Sequence, residues 1–126
     1  MSDGKPVFVY GTLKSGGSNH SFMAGQSFLG NATSEVGFCL IDLGDYPGLV
    51  PCAEDRSGVA GEVWFVDKTC LAALDRLEGV DEGLYRRAVI PLVPPFHEVE
   101  VDTYFFAGST LGRDRVMGGV WPIADS

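Results

Sequence analysis

The sequence predicts one α+β domain, spanning residues 1–126, whose sheet is strongly curved or barrel-like. Three observations carry that prediction. Short apolar and β-branched runs recur along the chain; two segments read as helices, with strands between them; and a hydrophobic fraction of 45% suffices for one real core.

The first strand is Val7-Phe8-Val9-Tyr10, with Val7 and Val9 on one face and Phe8 and Tyr10 on the other. Apolar residues on both faces suit a central strand. It stops at Gly11, and the Gly- and Ser-rich loop that follows leads to a helix expected from Ser18 or Asn19 to about Phe28, with Phe22 and Met23 as its apolar contacts. Where a buried strand ends at glycine, the next backbone N–H groups lack ladder partners, and an anionic group can supply the missing acceptors. Most such turns are only turns, so this loop alone does not define a site.

A second extended segment is expected at Gly37-Phe38-Cys39-Leu40-Ile41, and Gly44-Asp45-Tyr46-Pro47-Gly48 reads as a turn into Leu49-Val50-Pro51. Another strand runs from Ala60 to Val66. Asp67 is a good N-cap for a helix from Lys68 to Leu77, closed by Gly79 at the C′ position. Leu84 to Ile90 reads as a strand, and Pro91 to Phe96 as a connection or bulged edge. The alternation Glu98-Val99-Glu100-Val101-Asp102-Thr103 predicts a strand with one solvated face, passing into Tyr104-Phe105-Phe106, where both faces are apolar. The tail Gly118-Gly119-Val120-Trp121-Pro122 reads as irregular, with Trp121 as an anchor. Trp64 is expected in the core.

The net charge of −8, from 9 basic and 17 acidic residues, disfavours nonspecific binding to nucleic acid or anionic membranes. No run is apolar enough to span a bilayer and the first residues do not resemble an export signal, so a cytoplasmic protein is expected. Cys39, Cys52 and Cys70 are odd in number and widely spaced, which fits small buried hydrophobes better than disulfides or zinc ligands. His20 and His97 have no i, i+4 partner. No metal site is expected.

Glu78 is the sharpest chemical candidate. At about 100° per residue, Leu71, Leu74 and Glu78 share one narrow sector of the helix, which puts a carboxylate in line with the apolar stripe. Partial burial and the negative end of the helix dipole both raise the pKa of such a group and suit it to proton transfer near neutrality. The other reading is an ordinary helix-end residue that turns to water or pairs with Arg86 or Arg87, and the residues alone leave both open. Lys14 reads as solvated and His20 as a surface or packing residue. Asn19 is expected to fix the first loop. Arg87 shares a strand face with Tyr85, where it is either solvated or paired with a carboxylate.

Taken together, the segment Phe8 to Lys14 with Asn19-His20, the turn Tyr46-Pro47-Gly48, Gly61-Glu62-Val63-Trp64, Leu74-Asp75-Arg76-Leu77-Glu78-Gly79, Tyr85-Arg86-Arg87, Tyr104 and Gly119-Val120-Trp121 resemble the γ-glutamylcyclotransferase-like family, in particular its γ-glutamylamine cyclotransferase or AIG2-like branch. The likeness runs in order from about residue 7 to 121. The sequence departs from the family pattern at Val120, where an acidic residue is common, and at Phe106, where a second tyrosine is frequent. The resemblance implies a small mixed, barrel-like sheet with flanking helices, no cofactor, and release of 5-oxoproline and a free amine from a γ-glutamyl amine or another γ-glutamylated small molecule. It also implies Glu78 as general acid/base, Tyr10, Gly11, Thr12 and Leu13 as the substrate-cradling loop, and Tyr85 and Tyr104 as pocket walls. The acidic surface suggests a cationic leaving amine. Against the enzyme stand a non-catalytic binding or regulatory module of the same fold, and a hydrolase releasing free glutamate.

Overall fold

The computed structural model describes residues 4–122. Seven strands form one mixed sheet: β1 (Lys5–Val9), β2 (Ser27–Thr33), β3 (Phe38–Asp42), β4 (Pro47–Pro51), β5 (Ala60–Val66), β6 (Tyr85–Val89) and β7 (Asp102–Phe106). One α-helix, α1 (Lys68–Leu77), follows β5. The strand path is β2-β5-β1-β7-β4-β3, with β6 beside β7. The path ends at β2 and β3, so the sheet is open and the barrel-like expectation narrows to a mixed sheet that does not close.

β1 is central. It pairs antiparallel with β5 and parallel with β7, and it feeds both cores. Phe8 and Tyr10 pack in one cluster with Leu40, Leu49, Val63 and Phe105, while Val7 and Val9 pack in the other with Trp64, Leu74, Tyr85 and Tyr104. The alternation read from four residues therefore sorts them onto two buried faces. β7 is built differently. Its five residues all pair with β6 along one edge, and the opposite edge is shared: β1 pairs at Asp102 and β4 at Phe105. β1 and β4 thus part company alongside β7, and the sheet forks there.

α1 has the ends its sequence promised. The Asp67 carboxylate accepts the Cys70 backbone N–H at 2.7 Å, and Gly79 takes the left-handed backbone (φ 64°) that ends the helix. Leu74 is fully buried beneath it. Cys39 and Cys70 are buried and Cys52 is half-buried, all as free thiols.

Three expectations need correction. The helix placed from about 18 to 28 is a single 3-10 turn, His20–Met23. Gly25, at φ 79°, ends it, and Phe28 lies in β2 instead. β2 itself gave no periodic signal, because it is mostly exposed and its register against β5 shifts at Leu29, between Phe28 and Gly30. Finally, the alternating stretch from Glu98 is not strand. Val99 N–H closes a turn on Phe96 O at 3.1 Å, and β7 begins only at Asp102, where it is buried on both faces.

Candidate active site

The fork between β1 and β4 is bridged by one hydroxyl. Tyr10 Oη donates to Tyr104 O at 2.6 Å and accepts the Leu49 backbone N–H at 3.3 Å, so it bridges the strands where direct ladder bonds end. Beside it lies a cavity of about 240 Å³. The end of β1 and its loop supply Phe8 to Leu13 and Asn19; the start of β4 supplies Tyr46 and Pro47. α1 adds Leu77 and Glu78, and the remaining wall is Leu84, Tyr85 and Tyr104.

The first loop is fixed from within. Lys14 N–H donates to Gly11 O at 3.1 Å, Asn19 N–H to Thr12 O at 2.9 Å, and Asn19 Nδ2 to Thr12 Oγ1 at 3.0 Å. Among the described residues, the backbone N–H groups of Gly11, Thr12 and Leu13 have no protein acceptor. Gly11 is required by close approach: a Cβ there would lie 2.7 Å from Pro47 Cγ. Pro47 thereby sets how near the β3–β4 turn comes to the loop.

Glu78 is the C-cap of α1 and lines the same cavity as those amides. Burial pushes its carboxyl up from the ordinary glutamate value to about 7. No side-chain hydrogen bond or ion pair to it occurs among the described residues. The arginines that could have neutralised it are engaged elsewhere: Arg87 holds Asp75 at 2.9 Å and Asp102 at 2.7 Å, and the Arg86 guanidinium lies 5.1 Å from the Phe105 ring centroid. An uncompensated carboxylate in a partly dry site is costly, and the proton is retained to higher pH as a result.

The three buried tyrosines around Glu78 have hydroxyl protons already committed. Tyr85 Oη donates to Pro47 O at 2.8 Å, Tyr104 Oη to Asp75 Oδ1 at 2.7 Å, and Tyr10 as above. Burial raises all three phenols, and the nearby Glu78 charge adds to the effect. They form walls that can accept hydrogen bonds, while donation to a bound anion falls to the loop amides.

Every residue singled out from the sequence as a site candidate, namely Tyr10, Gly11, Thr12, Leu13, Glu78, Tyr85 and Tyr104, lines this one cavity. Asn19 joins them, while neither Phe106 nor Val120 does. Phe106 instead packs edge-on against Tyr85 at 5.6 Å. Lys14 departs from its expected solvated position. It is only 8% exposed and its ammonium donates to Trp121 O at 2.8 Å, which ties the loop to the tail. His20 packs against Trp64 and bonds Leu13 O through Nδ1 at 2.9 Å. Sequence reasoning did not assign Tyr46, Leu77 or Leu84 to the site; Tyr46 and Leu77 appeared only as members of the resembling motifs, and Leu84 only as the residue before Tyr85. Among the described residues, no group of three or more His, Cys, Asp or Glu side chains gathers to hold a metal ion.

The fold is a mixed α+β sheet with a cavity that brings a carboxylate and free backbone amides together, and comparison with known proteins gives its class. The model of the family described as gamma-glutamyl cyclotransferase, AIG2-like, matches residues 7–122, and the chain belongs to that family. A Vibrio cholerae protein that bears the gamma-glutamylcyclotransferase name as a provisional designation is 48% identical over 84 residues, 67% of this chain and 70% of its own. The gamma-glutamylaminecyclotransferase of Rattus norvegicus is 36% identical over 91 residues, covering 67% of this chain and 60% of the rat protein. The solution structure of ytfP from Escherichia coli superposes with a TM-score of 0.69 at 32% identity, over 92% of this chain and 95% of that one. Gamma-glutamyl cyclotransferase chemistry is thus the general activity of the family.

Proposed function

We propose that this protein is a γ-glutamyl cyclotransferase that converts a γ-glutamyl amine, or another γ-glutamylated small molecule, to 5-oxoproline and the free amine, with Glu78 as the proton carrier. The observation that carries the reading is the juxtaposition of an unpaired carboxylate, titrating at about 7, with the free amides of Gly11, Thr12 and Leu13 in one cavity.

The chemistry follows from those groups. The substrate's α-ammonium cannot attack until it loses a proton, and the Glu78 carboxylate takes it. The α-nitrogen then bonds to the γ-carbonyl carbon, and the carbonyl π pair moves to oxygen. The loop amides serve either the α-carboxylate or that developing oxyanion. As the tetrahedral centre collapses, the bond to the leaving nitrogen breaks and the Glu78 carboxylic acid returns a proton to it; the regenerated carboxylate takes the extra proton of the ring nitrogen and passes it to the freed amine, which departs as an ammonium. Because both reacting ends belong to one molecule, holding the glutamyl chain folded supplies much of the acceleration. A carboxyl titrating near the working pH serves both directions of transfer.

The test is Glu78→Gln, assayed for 5-oxoproline across a panel of γ-glutamyl amides. A loss of about 10²–10⁴-fold in kcat is expected for removal of a general acid/base. Retained activity in a variant with an unchanged circular dichroism spectrum would sink the mechanism, and release of free glutamate in place of 5-oxoproline would replace it with a hydrolase.

A further inference from the structure

The lining of the cavity is graded from inside to outside. Phe8, Val9, Tyr10, Leu13, Tyr85 and Tyr104 are buried, whereas Tyr46, Leu77 and Leu84 are 46%, 37% and 55% exposed. These three large side chains therefore mark the mouth. They flank both halves of the site. Leu77 directly precedes Glu78. Leu84 is bound back through its N–H to Gly79 O at 3.0 Å, and its side chain lies against Gly79, where an added Cβ would come within 2.7 Å of Leu84 Cδ1. On the other side, Tyr46 precedes Pro47, the residue packed on Gly11.

The three collar side chains are uncharged. Among the described residues, Glu78 is the only charged residue lining the cavity, and its carboxylate is committed to the chemistry under the reading above. A site built for a polycationic leaving group would need a second carboxylate to replace the water stripped from each additional ammonium. Among the described residues, the acidic residues that suggested a cationic amine, Glu78 apart, do not line the cavity.

We infer that the leaving amine carries an uncharged aliphatic or aromatic group, which lies in the collar of Tyr46, Leu77 and Leu84. This rests on the γ-glutamyl cyclotransferase reading. The glutamyl end, with its α-carboxylate and α-ammonium, reaches the loop amides and Glu78 at the buried end. The bond to be broken then points outward, and whatever the leaving nitrogen carries must pass the collar. Hydrocarbon there removes apolar surface from water at both partners, while a distal ammonium in the same place gives up part of its hydration and meets no second carboxylate among the described lining residues.

Three amides separate the possibilities: γ-glutamyl-n-butylamide, γ-glutamylbenzylamide and γ-glutamyl-4-aminobutylamide, the last differing from the first by a terminal ammonium. The uncharged pair is expected to exceed the aminobutylamide by about tenfold or more in kcat/KM. Leu84→Asn is expected to erase most of that advantage through KM, read as the ratio of kcat/KM between the uncharged pair and the aminobutylamide. Equal or faster turnover of the aminobutylamide overturns the inference and leaves the cyclotransferase reading standing. Binding of the same three compounds to the Glu78→Gln protein by calorimetry reads the collar without turnover. Tighter binding of the uncharged pair there, with no 5-oxoproline from the wild type, supports the collar and removes the reaction. Binding of none of the three overturns the inference together with the reading on which it rests.

Discussion

A carboxylate that titrates near neutrality sets activity and stability against each other. In the proposed mechanism Glu78 must be ionised to accept the ammonium proton, so kcat is expected to rise with pH through about 7, and this limb should vanish in any residual activity of Glu78→Gln. Stability runs the other way. The folded pKa lies above the unfolded value of about 4.5, so this group's contribution is fully present below about 4.5 and is lost as pH rises through about 7. At pH 8 Glu78→Gln should therefore be more stable than the wild type, by on the order of 2 kcal/mol, and at pH 4 the two should be equal. Urea unfolding at the two pH values checks this. A variant no more stable at pH 8 would mean that burial does not penalise the carboxylate. The position of Glu78 could be read from the helical spacing of Leu71, Leu74 and Glu78; the isolation of its charge could not. That isolation depends on Arg87 being bound by Asp75 and Asp102, and the second of these lies on a strand far along the chain.

Elements whose ends are set by local chemistry were legible. β5 occupies Ala60–Val66 and α1 occupies Lys68–Leu77, as read from the apolar run, the Asp67 cap and Gly79. The cap should show in the energetics: Asp67→Ala is expected to cost about 1 kcal/mol, because the Cys70 N–H loses its acceptor. A shift in the urea midpoint smaller than about 0.3 kcal/mol would mean that water replaces the carboxylate without penalty. β2 shows the opposite case. It is held by pairing with β5 and has little apolar surface to bury, so its own residues carry no period. The stretch from Glu98 misled in the reverse sense. It has the period of a strand, but Val99 sits in a turn with its side chain 43% exposed. Similarly, the loop at Gly11 could be seen as a source of free amides, while nothing in the sequence set Tyr46, Leu77 and Leu84 together as a collar, since that depends on the turns that bring them together.

At the scale of the molecule, one run of charges joins β1, from the start of the chain, to the consecutive elements α1, β6 and β7. Lys5 on β1 and Arg87 on β6 both hold Asp102 on β7 at 2.7 Å, and Arg87 also holds Asp75 on α1. Asp102 is buried, and its partners are partly exposed to screening water. Replacing it by Asn leaves two cations without their shared anion, and the expected loss is about 2 kcal/mol, below that of a fully buried pair. Denaturant unfolding at low and high salt measures it, and a change within about 0.5 kcal/mol would show that solvent already satisfies both cations. The sheet order itself was not legible, because no local pattern states which strand lies beside which. What the sequence did show was that Val7 to Tyr10 needed partners on both faces.

The shared edge of β7 also governs when the cavity can exist. Thr103 Oγ1 donates to Phe8 O across 95 residues of chain, and the Tyr10 hydroxyl reaches Tyr104 O across 94. During synthesis, the loop at Gly11 is made early and Glu78 considerably later, but the strand that lets β1 and β4 diverge comes last. Until β7 has left the ribosome, the amides and the carboxylate have no common wall, and the long loops that must close first make this assembly intrinsically slow. A nascent chain would therefore hold both halves of the candidate site without having the site.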